Sequence, residues 1–363
     1  MRKMIKATYW TISLFLLCGI VAHGQRLAEE GVISKEYKAY RVLAEKRIEA
    51  YQEKYKTPRF HTTAKGVTYL LDDVTESGLP VYIKTFNDGV ATSLGVKQLR
   101  AGGSLGLNLL GTGMEVGLWD GGKIRSDHVE LIGRITQQDG ATSLDDHATH
   151  VTGTILASGV NPLAKGMAPE ATMLAHDFNN DVSEMAALAK PDQTSLLFSN
   201  HSYGNVGGWN DGVWGGDPTV SNTEDYLFGF YDGRSQQWDN LAFNSPYYTI
   251  VKSAGNDRNE SGGGPQPADG PYDCITTNGN SKNIITVGAV LKLAGTYVNP
   301  SSIVMSSFSS WGPTDDGRIK PDLVAPGVNV LSSTATSNNS YEFFQGTSMA
   351  SPEIGRASCR ERV

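Results

Sequence analysis

Three short segments of this 363-residue chain carry residue types that could together perform nucleophilic chemistry. The last of them is Gly346-Thr347-Ser348-Met349-Ala350-Ser351-Pro352. Its small residues let a backbone come close to Ser348, and Pro352 suits a first helical turn, where its missing N–H costs nothing. Ser348 Oγ would then sit at the positive end of a helix dipole, beside backbone N–H groups able to hold an oxyanion. A serine hydroxyl is a weak nucleophile until a base activates it and an acid orients that base.

Candidates for both lie upstream. Residues 114–122 read as a short buried strand that delivers Asp120 at its C-terminal end, where open α/β sheets keep their sites. Residues 146–155 offer His147 at the start of a helix packed through small residues. Residues 251–256 are a second strand running into a turn, and it ends on the amide of Asn256, a ready hydrogen-bond donor. Taken singly, Asp120 reads as a turn or cap aspartate and Asn256 as Gly-Asn turn chemistry. His147 and His150 are spaced i, i+3 without the glutamate of a His-Glu-x-x-His zinc site, so no metal is assigned to them. His150 reads as a packed structural histidine, and Asp127 and His128 as parts of a solvated loop. The constellation, not any one member, carries the inference.

With Asp120, His147 and Ser348 in that order, the chain resembles the subtilisin-like serine peptidases, the subtilase family; chymotrypsin-like enzymes and α/β-hydrolases order their triads differently. The resemblance runs from about residue 107 to Pro352, and residues 306–313 and 317–327 are similar to the stretch before the serine in many subtilases. It implies Asp120 as orienting carboxylate, His147 as general base, Ser348 as nucleophile and Asn256 as oxyanion-hole amide. It further implies a substrate strand along Ser202, Tyr203 and Gly204, with Ser253, Ala254 and Gly255 as further substrate-binding residues. One departure stands out: Ala148 follows the base where the family usually has glycine.

The implied fold is α/β, a parallel sheet with helices on both faces. Strand-like runs at 172–176, 196–200, 248–254 and 283–290 alternate with helically spaced stretches at 182–189 and 224–243, which fits that fold. The implied activity is that of a serine endopeptidase working through an acyl-enzyme. The alternative is a catalytically silent binding or adhesion module of the same fold. No cofactor is required, although loops such as 179–181 could hold the structural calcium that the family often binds; no EF-hand spacing is present.

Residues 1–24 have the basic start, short apolar run and small-residue end of a secretory signal peptide, and the run is too short for a comfortable membrane span. The expectation is a secreted protein, extracellular or periplasmic, without a stable membrane anchor. Residues 25–90 differ in character: Leu43, Ile48 and Tyr51 are helically spaced, and 67–83 alternate as strands do. The resemblance implies that they form a small α+β pro-segment, an intramolecular inhibitor of the peptidase domain at 91–352. Residues 353–363 back-translate to DNA resembling a common sequencing adapter, and Arg356, Arg360 and Glu361 would charge a core helix. The tail is therefore expected to be non-native, the native protein longer, and the chain as written inactive. The net charge of −7 gives no reason to expect nucleic acid as a partner, leaving protein or peptide substrates. Cys18, Cys274 and Cys359 imply no disulfide.

Overall fold

The computed structural model describes residues 40, 42–62, 68–85, 99, 106–189, 196–292 and 299–358. The expected signal peptide with Cys18, the far tail with Cys359, Arg360 and Glu361, and the side chain of Arg356 lie outside the described residues.

The N-terminal unit has the expected α+β make-up. A helix over residues 42–55 (α1) is followed by β1 (Phe60–Thr62), β2 (Thr68–Val74) and β3 (Pro80–Thr85), all paired antiparallel. Ile48 of α1 packs on Leu71 and Val74 of β2, so the helical and strand periodicities meet in one small core.

Seven strands then form one sheet. In chain order they are β4 (Glu115–Asp120), β5 (Ile135–Gln137), β6 (Thr172–Asp177), β7 (Leu196–His201), β11 (Thr249–Ser253), β12 (Ile285–Val290) and β13 (Leu323–Pro326). Between β7 and β11 come β8 (Tyr203–Asn205) and the hairpin β9 (Trp209–Asn210) and β10 (Val213–Trp214); β14 (Val330–Ser333) and β15 (Tyr341–Phe344) form a second antiparallel pair. The spatial order is β13-β12-β11-β7-β4-β6-β5 and every pairing is parallel.

Period-two alternation sorts the strand side chains onto two faces. Leu118 and Val251 join one buried cluster with Val151 and Ile155 of α2 (Asp146–Leu156) and with Met349. Their neighbours Trp119 and Ile250 join the other, with Val182 and Met185 of α3 (Asp181–Leu188) and Trp238 and Leu241 of α4 (Gly233–Asn244). Met349 lies on α5 (Thr347–Ser358). Ala148 is fully buried in the first cluster, which accommodates its methyl. None of the described helices is long and apolar enough to cross a membrane.

Three local expectations are corrected. Residues 224–243 are helical only from Gly233, because Asp232 caps that helix by accepting the Ser235 N–H. The preceding stretch is a loop, with Asp225 buried and accepting the Gly208 and Leu227 N–H groups and Gly229 at φ +66°. His128 is not solvated: its ring is buried, with Nε2 2.9 Å from the Ser340 carbonyl. Pro352 lies in the second turn of α5 rather than the first. In that same helix Glu353 is buried with neither carboxylate oxygen hydrogen-bonded among the described residues, and burial pushes its pKa well above the usual range.

Glu130 organises the loop after α2. Its buried carboxylate accepts the N–H groups of Gly159, Val160 and Asn161 and the hydroxyls of Ser158 and Tyr341, at 2.7–3.1 Å. Burial alone would raise its pKa, but these donors outweigh burial and hold it below the usual value. A carboxyl whose folded pKa is depressed contributes stability above its unfolded pKa and loses it as pH falls through the folded one. Glu130→Gln should therefore cost about 1.5–3 kcal/mol at pH 7. Thermal melts should show the gap from wild type narrowing below about pH 4.

Candidate active site

Asp120 is the last residue of β4 and completely buried, and its Oδ1 lies 2.5 Å from His147 Nδ1. The same oxygen accepts the Gly121 N–H at 2.7 Å, while Oδ2 is buried with no hydrogen bond among the described residues. His147 is placed by the start of α2. Asp145 is the N-cap, accepting the Ala148 N–H at 2.6 Å, so the imidazole projects from the first turn. The carboxylates of Asp120 and Asp145 and the His147 ring offer atoms all within 4.8 Å of one another. Burial first, and then the charge of Asp120, push the Asp145 carboxyl up to about 6. Sequence reading passed over Asp145; an Asp three residues before a helical N–H is the cap signal that finds it.

Ser348, also completely buried, is the second residue of α5. Its Oγ donates to the Ser202 carbonyl at 3.1 Å, and Ser202 Oγ donates back to the Ser348 carbonyl at 2.9 Å. Pro352 explains the second bond. The Ser348 carbonyl would ordinarily accept the N–H four residues on, and proline has none. Ser202 Oγ is in turn 2.9 Å from Asn200 Nδ2, and Ser351 Oγ donates to Asn200 Oδ1 at 2.7 Å. The end of β7 and the first turns of α5 are thus stitched together by side chains.

Asn256 follows β11 through a turn at Gly255, whose φ of +115° and closeness to Ser310 and Asp257 side chains leave no room for a Cβ. Its Oδ1 accepts the Thr347 N–H at 2.9 Å and Thr347 Oγ1 at 3.1 Å. With its oxygen so held, the amide nitrogen is the atom of Asn256 available to a ligand. Ser253 and Ala254 are buried, and Ser253 Oγ points back to the His201 carbonyl; Gly255 gives its N–H to Thr347 Oγ1.

Ser202, Tyr203 and Gly204 run from the end of β7 into β8, and β8 is not a free edge. Strand β3 pairs with it antiparallel, placing Ile83 opposite Asn205, Lys84 opposite Gly204 and Thr85 opposite Tyr203. Composition alone could not show this, because the register depends on how the N-terminal unit docks.

His150 is packed as expected: its Nε2 is 3.0 Å from the Val330 carbonyl, its ring stacks on Phe344, and burial lowers its pKa to about 3, keeping it neutral. Cys274 is buried, which pushes its thiol up to about 12 and leaves it inert. In the loop 179–181, Asp181 already accepts the Tyr203 hydroxyl at 2.7 Å and the Val182 N–H at 2.6 Å.

The family model described as "Subtilase family" matches residues 107–360. Among curated relatives, the C5a peptidase of Streptococcus pyogenes serotype M3 is 48% identical over 82 residues, 23% of this chain and 7% of that protein. The cuticle-degrading serine protease of Arthrobotrys oligospora is 39% identical over 106 residues, 29% of this chain and 19% of that protein. The chain therefore spans well under a quarter of the length of these relatives. A solved structure described as S41 psychrophilic protease aligns at 20% identity and a TM-score of 0.49, covering 75% of this chain and 84% of that one. A family match over most of the chain, on a seven-stranded parallel sheet between two helical layers, places this protein in the subtilase family.

Proposed function

We propose that this chain carries the catalytic region of a secreted serine endopeptidase that hydrolyses peptide bonds through an acyl-enzyme. The observation that carries the reading is the buried Asp120–His147 hydrogen bond at the end of β4, with Ser348 on α5, which packs beside α2. Ser348 Oγ attacks the scissile carbonyl carbon while His147 Nε2 takes its proton. Asp120 holds Nδ1–H, which fixes the tautomer and stabilises the imidazolium. The tetrahedral oxyanion is held by Asn256 Nδ2 and the Ser348 N–H, a first-turn donor with no acceptor within its own helix. Collapse breaks the C–N bond, and His147 returns the proton to the leaving amine. Water then repeats the sequence on the ester.

We further propose that residues 25–90 are a pro-segment. The pairing of β3 with β8 supports this, since an added strand on that edge occupies backbone groups that an extended substrate would use. The complete burial of Ser348 agrees with a closed site. An ionic knot links the two units: Arg234 of α4 lies 3.4 Å from Asp72 and 3.7 Å from Asp73, and donates to the Tyr40 hydroxyl at 3.1 Å. Arg47 pairs with Asp73 from the other side at 2.7 Å. Export follows from the signal-like residues 1–24.

In the full-length protein, Ser348→Ala should abolish casein hydrolysis and fluorophosphonate labelling; undiminished turnover would refute the triad. Asn256→Leu should lower kcat by roughly 10²–10³ with little change in KM, a magnitude established on subtilisin itself and borrowed here. Asp145→Asn keeps the helix cap but removes a negative charge that favours imidazolium, so the acid limb of kcat/KM should move to lower pH. Arg234→Ala should weaken inhibition of the processed enzyme by added residues 25–90 by about tenfold, read from inhibition constants.

A further inference from the structure

Lys252 is the one ionisable residue of β11, and the reaction above leaves it unused. It lies in the middle of the parallel sheet, 2% exposed, where neighbouring strands need only apolar side chains. An ammonium there costs several kcal/mol unless it is paired and hydrogen-bonded. Its Nζ donates to the Tyr203 carbonyl and lies 5.4 Å from the centre of the Tyr203 ring.

Tyr203 is gripped from its other end as well. Its hydroxyl donates to Asp181 Oδ2 at 2.7 Å and lies 3.0 Å from His201 Nδ1. His201 Nε2 is 2.8 Å from Ser199 Oγ, which also receives the Tyr248 hydroxyl at 2.6 Å. These buried polar contacts converge on one residue of β8. Tyr203 lies between Ser202, which exchanges hydrogen bonds with Ser348, and Gly204, which pairs with β3. Lys252 itself stands four residues before Asn256 on the same run of chain.

We infer that Lys252 is a positioning residue: by holding the Tyr203 carbonyl it fixes the substrate-pairing strand against the strand that carries the oxyanion amide. The inference rests on the peptidase reading and deepens it. A charge-assisted bond to the carbonyl is stronger than one from a neutral amine, so the grip depends on the charge of Lys252. Burial draws that pKa down to about 7, opposed by Asp181 at the start of α3 and Asp257 beyond β11. His201 on β7 faces the same ammonium and is kept neutral, chiefly by burial and next by Lys252.

The test compares two rates in the full-length protein: kcat/KM for a peptide long enough to pair with residues 202–204, and inactivation by a small fluorophosphonate. Both need Ser348, His147 and the oxyanion hole, and only the first needs the strand, so their ratio cancels His147 titration. Lys252→Met should lower the ratio at least tenfold at pH 6 while probe labelling stays within threefold. In wild type the ratio should fall as pH rises through about 7, and in Lys252→Met it should be flat. A pH-independent wild-type ratio, or a ratio unchanged by Lys252→Met, overturns the positioning role. Should Lys252→Met not fold, the wild-type pH series decides alone. Absence of labelling in wild type would instead refute the Ser348 reading, and this inference with it.

Discussion

The 2.5 Å contact between Asp120 and His147, both sealed from water, is the interaction around which the other parts are arranged. A carboxylate in that setting is costly unless donors face it, and here they come from an imidazole and the Gly121 backbone. Holding those donors in place requires β4 to end at Asp120 and α2 to begin at Asp146, with Asp145 capping the helix. The cap and the acid are near enough to repel, and Asp145 responds by a raised pKa. The result is two carboxyl groups gathered beside one imidazole.

Ser348 is held by a second set of constraints. Pro352 frees the Ser348 carbonyl, and Ser202 takes it, so the helix and the strand are joined by two hydrogen bonds between one pair of residues. Asn256 is fixed through Thr347, the residue before the nucleophile. Movement of α5 would therefore displace Ser348, Asn256 and Ser202 together. The Ser348 hydroxyl itself is turned toward the Ser202 carbonyl.

The strand 202–205 is shared by two tasks. It takes part in the site through Ser202, and it is the edge onto which the N-terminal unit adds β1–β3. A sheet edge with unpaired backbone groups invites an added strand, and here the chain covers its own. The buried polar residues around Tyr203, and Glu130 under its loop, show the same economy at different places. Each has a hydrogen-bond partner, whereas Glu353 in α5 has none among the described residues.

What the sequence determined by itself was the family likeness and the rhythm of elements. The motifs around Asp120, His147, Asn256 and Ser348 were legible through that likeness, and their placement at element ends through runs whose period, two or 3.6, is set by local backbone geometry. The strands at 172–177, 196–201, 249–253 and 285–290 were legible for the same reason, being short apolar runs between polar turns. Only the tertiary structure decided what depends on residues far apart in sequence. Residues 224–232 have helical spacing, yet buried Asp225 holds them as a loop by binding Gly208. His128 is inside because Ser340, more than two hundred residues on, offers it a carbonyl. Lys252 and Asp145 meet partners on other elements, and the docking of β3 on β8 has no local signature at all. Periodicity reports which face of an element is apolar; which element covers that face, and which donor meets which acceptor, is fixed by packing alone.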